Sequence, residues 1–126
     1  MSTPREDGFS MPAEFSPHQA TLMSWPAREE WWGPMIDRAK DDWAAVARAV
    51  AAFEPVTMVC APGRSQEVRD RAGGGVEPLE LPIDDSWMRD NGPIFVTNDA
   101  GEVALVQFRF NSWGEKFLPY DQDARV

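Results

Sequence analysis

Apolar and polar positions alternate along the chain in short runs of distinct period. Ala20-Thr21-Leu22-Met23-Ser24-Trp25 is a mostly apolar run closed by Pro26, which predicts a buried strand, because so short a run cannot stabilise a helix. Gly33-Pro34 then sets a proline at a helix start, where its missing N–H costs no hydrogen bond. From Pro34 to Phe53 the bulky residues Ile36, Trp43, Val46, Val50 and Phe53 recur at spacings of seven, three, four and three. That pattern predicts one apolar helical face, with Asp37, Lys40, Asp41, Arg48 and Glu54 mainly on the other side. Pro55 stops the helix, and the β-branched, apolar run Val56 to Ala61 predicts a strand buried on both faces. Ser65 to Arg71 predicts a short helix with Ser65 as its N-cap, ended by Gly73-Gly74-Gly75. Val76 to Ile83 predicts a strand that runs into the loop Asp84 to Gly92. Pro93 to Thr97 and Glu102 to Phe110 predict two strands, joined by Asn98-Asp99-Ala100-Gly101, whose final glycine marks a hairpin.

This order of strands and helices places the chain in the α/β class with a mixed sheet. Residues 1–18, with Pro4, Pro12 and Pro17, predict a loop-like lead-in whose first ten residues are flexible. Asn111-Ser112-Trp113-Gly114 predicts a loop, and Tyr120 to Val126 predicts the beginning of a helix, with acids in its first turn. A helix begun so close to the last residue cannot recover its nucleation cost, so the expectation is an incomplete domain cut from a longer one.

Composition narrows the function. The 126 residues carry 12 Lys+Arg against 21 Asp+Glu, a net charge of −9, while 43% hydrophobic and 26% charged residues are ordinary for a globular chain. The acidic balance opposes a phosphate backbone, so no nucleic-acid partner is expected, and it favours cationic small molecules. No apolar run is long enough for a membrane span, and Met1 to Ser10 lacks the apolar core of a signal peptide, so the expectation is a cytoplasmic protein without membrane contact. One cysteine forms no internal disulfide, and one cysteine with one histidine is too few for a metal cage; no metal site is expected.

The densest polar and aromatic cluster is Asp84-Asp85-Ser86-Trp87-Met88-Arg89-Asp90-Asn91-Gly92, at the end of a predicted strand, where ligands of α/β folds gather. A carboxylate takes a guanidinium through two parallel hydrogen bonds, and the indole of Trp87 offers a face for a cation or an alkyl arm. The same residues also read as a solvated turn with Arg89 paired to a neighbouring aspartate. Cys60 in an apolar strand reads as a small inert hydrophobe, and His18 as a hydrogen-bonded positioning residue. Trp31-Trp32 either lines an entrance or packs beneath a helix. Gly73-Gly74-Gly75 has neither the flanking pattern nor the lysine of a phosphate-binding loop.

Four blocks occur in order: Met11-Pro12-Ala13-Glu14-Phe15-Ser16-Pro17-His18-Gln19-Ala20-Thr21; Ser24-Trp25-Pro26; Asp85-Ser86-Trp87-Met88-Arg89-Asp90-Asn91-Gly92-Pro93-Ile94-Phe95-Val96; and Phe110-Asn111-Ser112-Trp113-Gly114 with Lys116. Together they resemble the N-terminal part of the agmatine deiminase and bacterial peptidylarginine deiminase family. The resemblance implies a pentein-type α/β propeller of pseudo-repeats, with residues 11–126 forming its first part. It implies hydrolysis of a guanidinium, agmatine giving N-carbamoylputrescine and ammonia, or arginine giving citrulline, without metal or organic cofactor. In this chemistry a thiolate attacks the guanidinium carbon to form a thiouronium, and a histidine moves the protons. Asp90 matches the family's guanidinium-binding carboxylate, and Trp87 its substrate-packing tryptophan. The family's catalytic histidine and cysteine match nothing between Met1 and Val126, so no catalytic residue is assigned in this chain and it is expected to be inactive alone. The partner implied is a cationic guanidino small molecule, in a putrescine-forming setting, with room for a homo-oligomer. The rival reading is a short, non-catalytic chain that binds a cationic ligand through Asp90 and Trp87.

Overall fold

The β-branched run after Pro55 forms the middle of a three-stranded parallel sheet in the computed structural model, which describes residues 2–126. Strands β1 (Thr21–Ser24), β2 (Val56–Cys60) and β3 (Val76–Glu80) lie side by side in that order, with Thr21 opposite Val56 and Val56 opposite Val76. Flanked by β1 and β3, β2 buries Val56, Met58, Val59 and Cys60 and leaves only Thr57 half-buried, as its largely apolar character requires. Pro78 lies in β3, which pairs only with β2 among the described residues, so its missing N–H breaks no ladder on the open side.

Helices make the parallel crossovers. One-turn α1 (Glu29–Trp32) and a 3-10 turn at Gly33–Met35 lead into α2 (Ile36–Ala51), and α3 (Ser65–Ala72) joins β2 to β3. The face of α2 differs from the expected one. Ala39, Lys40, Ala44 and Ala47 are buried, whereas Val46 is 54% and Phe53 90% exposed. Small side chains allow α2 to lie close on the sheet and on α3, and Trp43, Val50 and Ala51 pack around that seam. At 100° per residue Val46 lies about a quarter-turn away from it, and Phe53 lies in the turn beyond the end of α2. Lys40 stays buried because its Nζ meets Glu67 Oε1 on α3 at 2.7 Å. The core is Trp25, Ala44, Ala47, Val56, Met58, Cys60, Val68, Ala72 and Val76.

Ser65 is not the cap of α3. The cap position is Arg64, without a side-chain bond, and the N–H and hydroxyl of Ser65 both donate to Glu80 Oε1 at the end of β3, at 3.2 and 2.7 Å. The Ser65 hydroxyl, with N–H groups of Gly63 and Ser65, holds the Glu80 carboxyl below its usual range.

Beyond the sheet, β4 (Ile94–Thr97) and β5 (Val103–Val106) form the expected antiparallel hairpin, Thr97 opposite Val103. Asn98 Oδ1 accepts the N–H of Ala100 and of Glu102 at 3.1 and 3.0 Å, and Gly101 supplies the positive φ of 77°. β5 stops at Val106 rather than Phe110; the Gln107 side chain turns to the carbonyl of Asn91 at 3.1 Å and the backbone leaves the ladder. The lead-in is held at its end by the bridge between Ser10 and Thr97. The helix expected from Tyr120 contracts to one 3-10 turn, Asp123–Arg125. No helix among the described residues is long and apolar enough to cross a membrane.

Candidate functional site

The loops after β1 and β3 leave the sheet at the same end, and their side chains build one site. The segment Asp84 to Gly92 holds a single helical turn, α4 (Met88–Asn91), where the sequence predicts only a loop. Ser24, at the end of β1, accepts the Met88 N–H through its hydroxyl at 3.2 Å, which ties this turn to the sheet. Gly92 ends the turn at a place where a Cβ would lie 2.5 Å from the Met88 carbonyl and 2.6 Å from its sulfur, so no other residue fits.

The three carboxylates of the loop have three different fates. Asp84 is buried; one oxygen meets Arg28 Nη2 at 3.2 Å, and the other accepts the N–H groups of Gln122 and Asp123 at 2.9 and 3.2 Å. Asp123 returns the bond, its buried carboxylate accepting the N–H of Asp84 at 2.7 Å and of Asp85 at 3.3 Å. Burial among the Asp84 and Asp85 charges pushes the Asp123 carboxyl up to about 6, against the pull of those two N–H groups. Arg28 also donates to the carbonyls of Leu118 and Pro119 and lies 3.8 Å above the Trp31 ring. Asp84 therefore ties the tail to this loop through both of its oxygens.

Asp85, fully buried, accepts the Ala27 N–H and the Trp32 indole N–H, each at 3.1 Å. It forms the floor of a cleft of about 350 Å³ lined by Trp31, Trp32, Trp87, Trp113 and Phe117. Asp90 is exposed on α4, and its Oδ1 accepts the Trp113 indole N–H at 3.2 Å. Trp87 and Trp113 meet edge to face at 5.3 Å between centroids, and Phe117 meets Trp113 and Trp31 in the same manner at 5.8 and 5.2 Å. Asp90 and Trp87, the two site residues matched by motif, are thus brought together, with Trp113 between them. Arg89 pairs with Glu14 at 2.8 Å, not with a neighbouring aspartate, so the local-pair reading of the loop does not hold.

Trp31 and Trp32 line the cleft, and Trp32 also packs against Trp43 of α2 at 5.7 Å, so both readings of the pair apply. Cys60 lies buried in β2, and burial pushes its thiol up, away from the thiolate a nucleophile needs. His18 Nε2 lies 2.8 Å from the Glu14 carbonyl and Nδ1 3.4 Å from Glu54, a positioning arrangement away from the cleft. Among the described residues no group of three or more His, Cys, Asp or Glu is placed to hold a metal. The sequence reading missed Trp113, Phe117 and the clamp on Asp123; the Asn-Ser-Trp-Gly block was the available signal for the first.

Aromatic walls and the buried Asp85 carboxylate line a cleft at the strand ends of an α/β scaffold, and the exposed Asp90 carboxylate is bonded to Trp113, one of those walls. The chain belongs to the family of Porphyromonas-type peptidyl-arginine deiminases, whose model it matches over residues 10–126. It is 47% identical over 129 residues to a Streptomyces avermitilis protein provisionally named an agmatine deiminase, and 43% identical over 130 residues to the agmatine deiminase of Pseudomonas aeruginosa. These alignments cover 100% and 99% of the chain but 37% and 35% of the relatives. The solved agmatine deiminase of Enterococcus faecalis superposes with a TM-score of 0.94 at 36% identity, over 100% of this chain and 36% of that one. The chain therefore spans little more than a third of the length of the proteins it matches.

Proposed function

We propose that the native protein hydrolyses the guanidinium of agmatine to N-carbamoylputrescine and ammonia, with this chain supplying one wall of the substrate pocket. The observation that carries the reading is the exposed Asp90 carboxylate bonded to Trp113, whose ring meets Trp87 in the wall of an aromatic cleft. In this reading Asp90 takes two guanidinium nitrogens in parallel hydrogen bonds, and Trp87 packs on the substrate. The attacking thiol and the proton-handling histidine belong to other parts of the native protein, because Cys60 is sealed in the sheet and His18 is engaged elsewhere. Thiolate addition and loss of ammonia leave a thiouronium, which water converts to the urea product and the free thiol. The scaffold reading that goes with it is residues 11–126 as the first part of a pentein-type propeller, preceded by a lead-in of ten residues.

The test is turnover of agmatine by the native protein, read as ammonia and N-carbamoylputrescine, beside free arginine and an arginine-containing peptide. Agmatine is expected to be the best substrate, and Asp90→Asn to lower kcat/KM by at least about a hundredfold, since a charged bidentate contact is lost. No ammonia from agmatine in the wild type ends this reading. A preference for the peptide moves it to arginine-to-citrulline chemistry, the alternative that the family's description favours.

A further inference from the structure

Four consecutive residues, Ser112, Trp113, Gly114 and Glu115, have positive φ of 52, 54, 85 and 62°, so α5 (Ser112–Glu115) is a left-handed turn. Only the glycine adopts that backbone without steric penalty. The turn persists because it is pinned. Asn111 Oδ1 accepts the Gly114 N–H at 3.1 Å, the buried Ser112 hydroxyl donates to the Phe117 carbonyl at 2.7 Å, and the Glu115 N–H donates to the Asn111 carbonyl at 2.8 Å.

This strained backbone aims one side chain. The Trp113 ring sits edge to face against Phe110 at 5.4 Å, Trp87 at 5.3 Å and Phe117 at 5.8 Å, and its only polar atom, a donor and never an acceptor, meets Asp90 Oδ1. Among the described residues no donor reaches Asp90 Oδ2. We infer that Trp113 is a positioning residue for Asp90: its indole N–H fixes the carboxylate torsion and leaves the remaining acceptor sites free for an incoming guanidinium. The inference rests on the reading of Asp90 as the guanidinium carboxylate. An exposed aspartate on one helical turn otherwise samples several rotamers, and few of them present both oxygens in one plane to a ligand. A tryptophan that served only as an apolar wall would need neither the bond to Asp90 nor the left-handed turn that creates it.

The experiment uses the native protein labelled with ¹⁵N and has two arms. In the first, the Trp113 indole resonance, identified by its loss in Trp113→Phe, is expected to move upfield in proton shift when Asp90→Ala removes its acceptor. In the second, Trp113→Phe, which keeps a ring and loses the N–H, is expected to raise KM for agmatine about tenfold while kcat stays within about threefold. An indole resonance unmoved by Asp90→Ala, or a KM within twofold of wild type, overturns the assignment. If agmatine is not a substrate, the functional reading fails in the second arm alone, and the indole shift still decides whether Trp113 holds this carboxylate.

Discussion

Asp84, Asp85, Asp90 and Asp123 show how the surroundings of a carboxylate decide its use. Among the described residues no donor reaches Asp90 Oδ2, the buried Asp85 accepts the N–H groups of Ala27 and the Trp32 indole, and Asp84 and Asp123 each accept the other's backbone N–H. Burial pushes the Asp123 carboxyl up to about 6 from an ordinary value of 3.8, so the folded protein binds its proton more tightly than the unfolded chain does. A raised folded pKa contributes stability that is fully present below about pH 4 and lost as pH rises through about 6, worth up to about 3 kcal/mol. Asp123→Asn keeps an acceptor for the two N–H groups and cannot ionise. Urea unfolding from pH 4 to 7.5 is expected to show wild type losing stability relative to Asp123→Asn across that window, and a constant difference would refute the burial argument. Cys60→Ala tests the opposite case, a residue rich in chemistry that the fold disarms. Native-protein activity is expected to stay within about twofold, at a stability cost of about 1 kcal/mol for the lost packing; loss of turnover with the melt intact would make Cys60 a participant. A local motif marks Asp90 and Trp87 together, and the structure sets both against Trp113. The separate roles of Asp84 and Asp85 were not legible, since adjacent aspartates look alike until burial and partners distinguish them.

At the scale of elements, the parallel strands were legible because their signals are local: apolar runs bounded by Pro26, Pro55 and the triple glycine. The face of α2 was not, because weighting bulky residues hid the alanines that let the helix approach the sheet. Ala47 is fully buried in the seam, while Val46 faces outward and Phe53 lies exposed in the turn after the helix. Ala47→Leu is expected to destabilise the protein by about 1–3 kcal/mol through overpacking, and Val46→Ser and Phe53→Ser to stay within about 0.5 kcal/mol. Thermal melts of the three variants decide between the faces; a costly Phe53→Ser with a neutral Ala47→Leu would restore the bulky one. α5 was illegible for a different reason. A left-handed turn has no hydrophobic period, so Asn111-Ser112-Trp113-Gly114 shows its polar cap and glycine but not the direction in which it sends Trp113.

At the scale of the whole molecule, burial is concentrated on the parallel sheet and its helices, while the hairpin turns an apolar face outward. Phe95 pairs with Leu105 and Thr97 with Val103 on that face, and Phe95, Leu105 and Val103 are 46%, 61% and 55% exposed, with Phe108 beyond them at 66%. β5 pairs only with β4 among the described residues, so the apolar face lies next to an open row of backbone donors and acceptors. A surface of this kind associates unless charge prevents it. The net charge of −9 opposes association, and the opposition fades as salt shortens the screening length to about 8 Å at physiological ionic strength. The 126-residue chain by itself is therefore expected to sediment above its monomer mass of 14.1 kDa, with the average mass rising with protein concentration and with salt. Leu105→Glu, which places a charge in the middle of the apolar face, is expected to return it to the monomer mass. A wild-type chain that stays monomeric at about 100 μM in 0.5 M salt would show that the exposed face is not adhesive, and that the pairing of strand edge with apolar residues is too short to drive assembly.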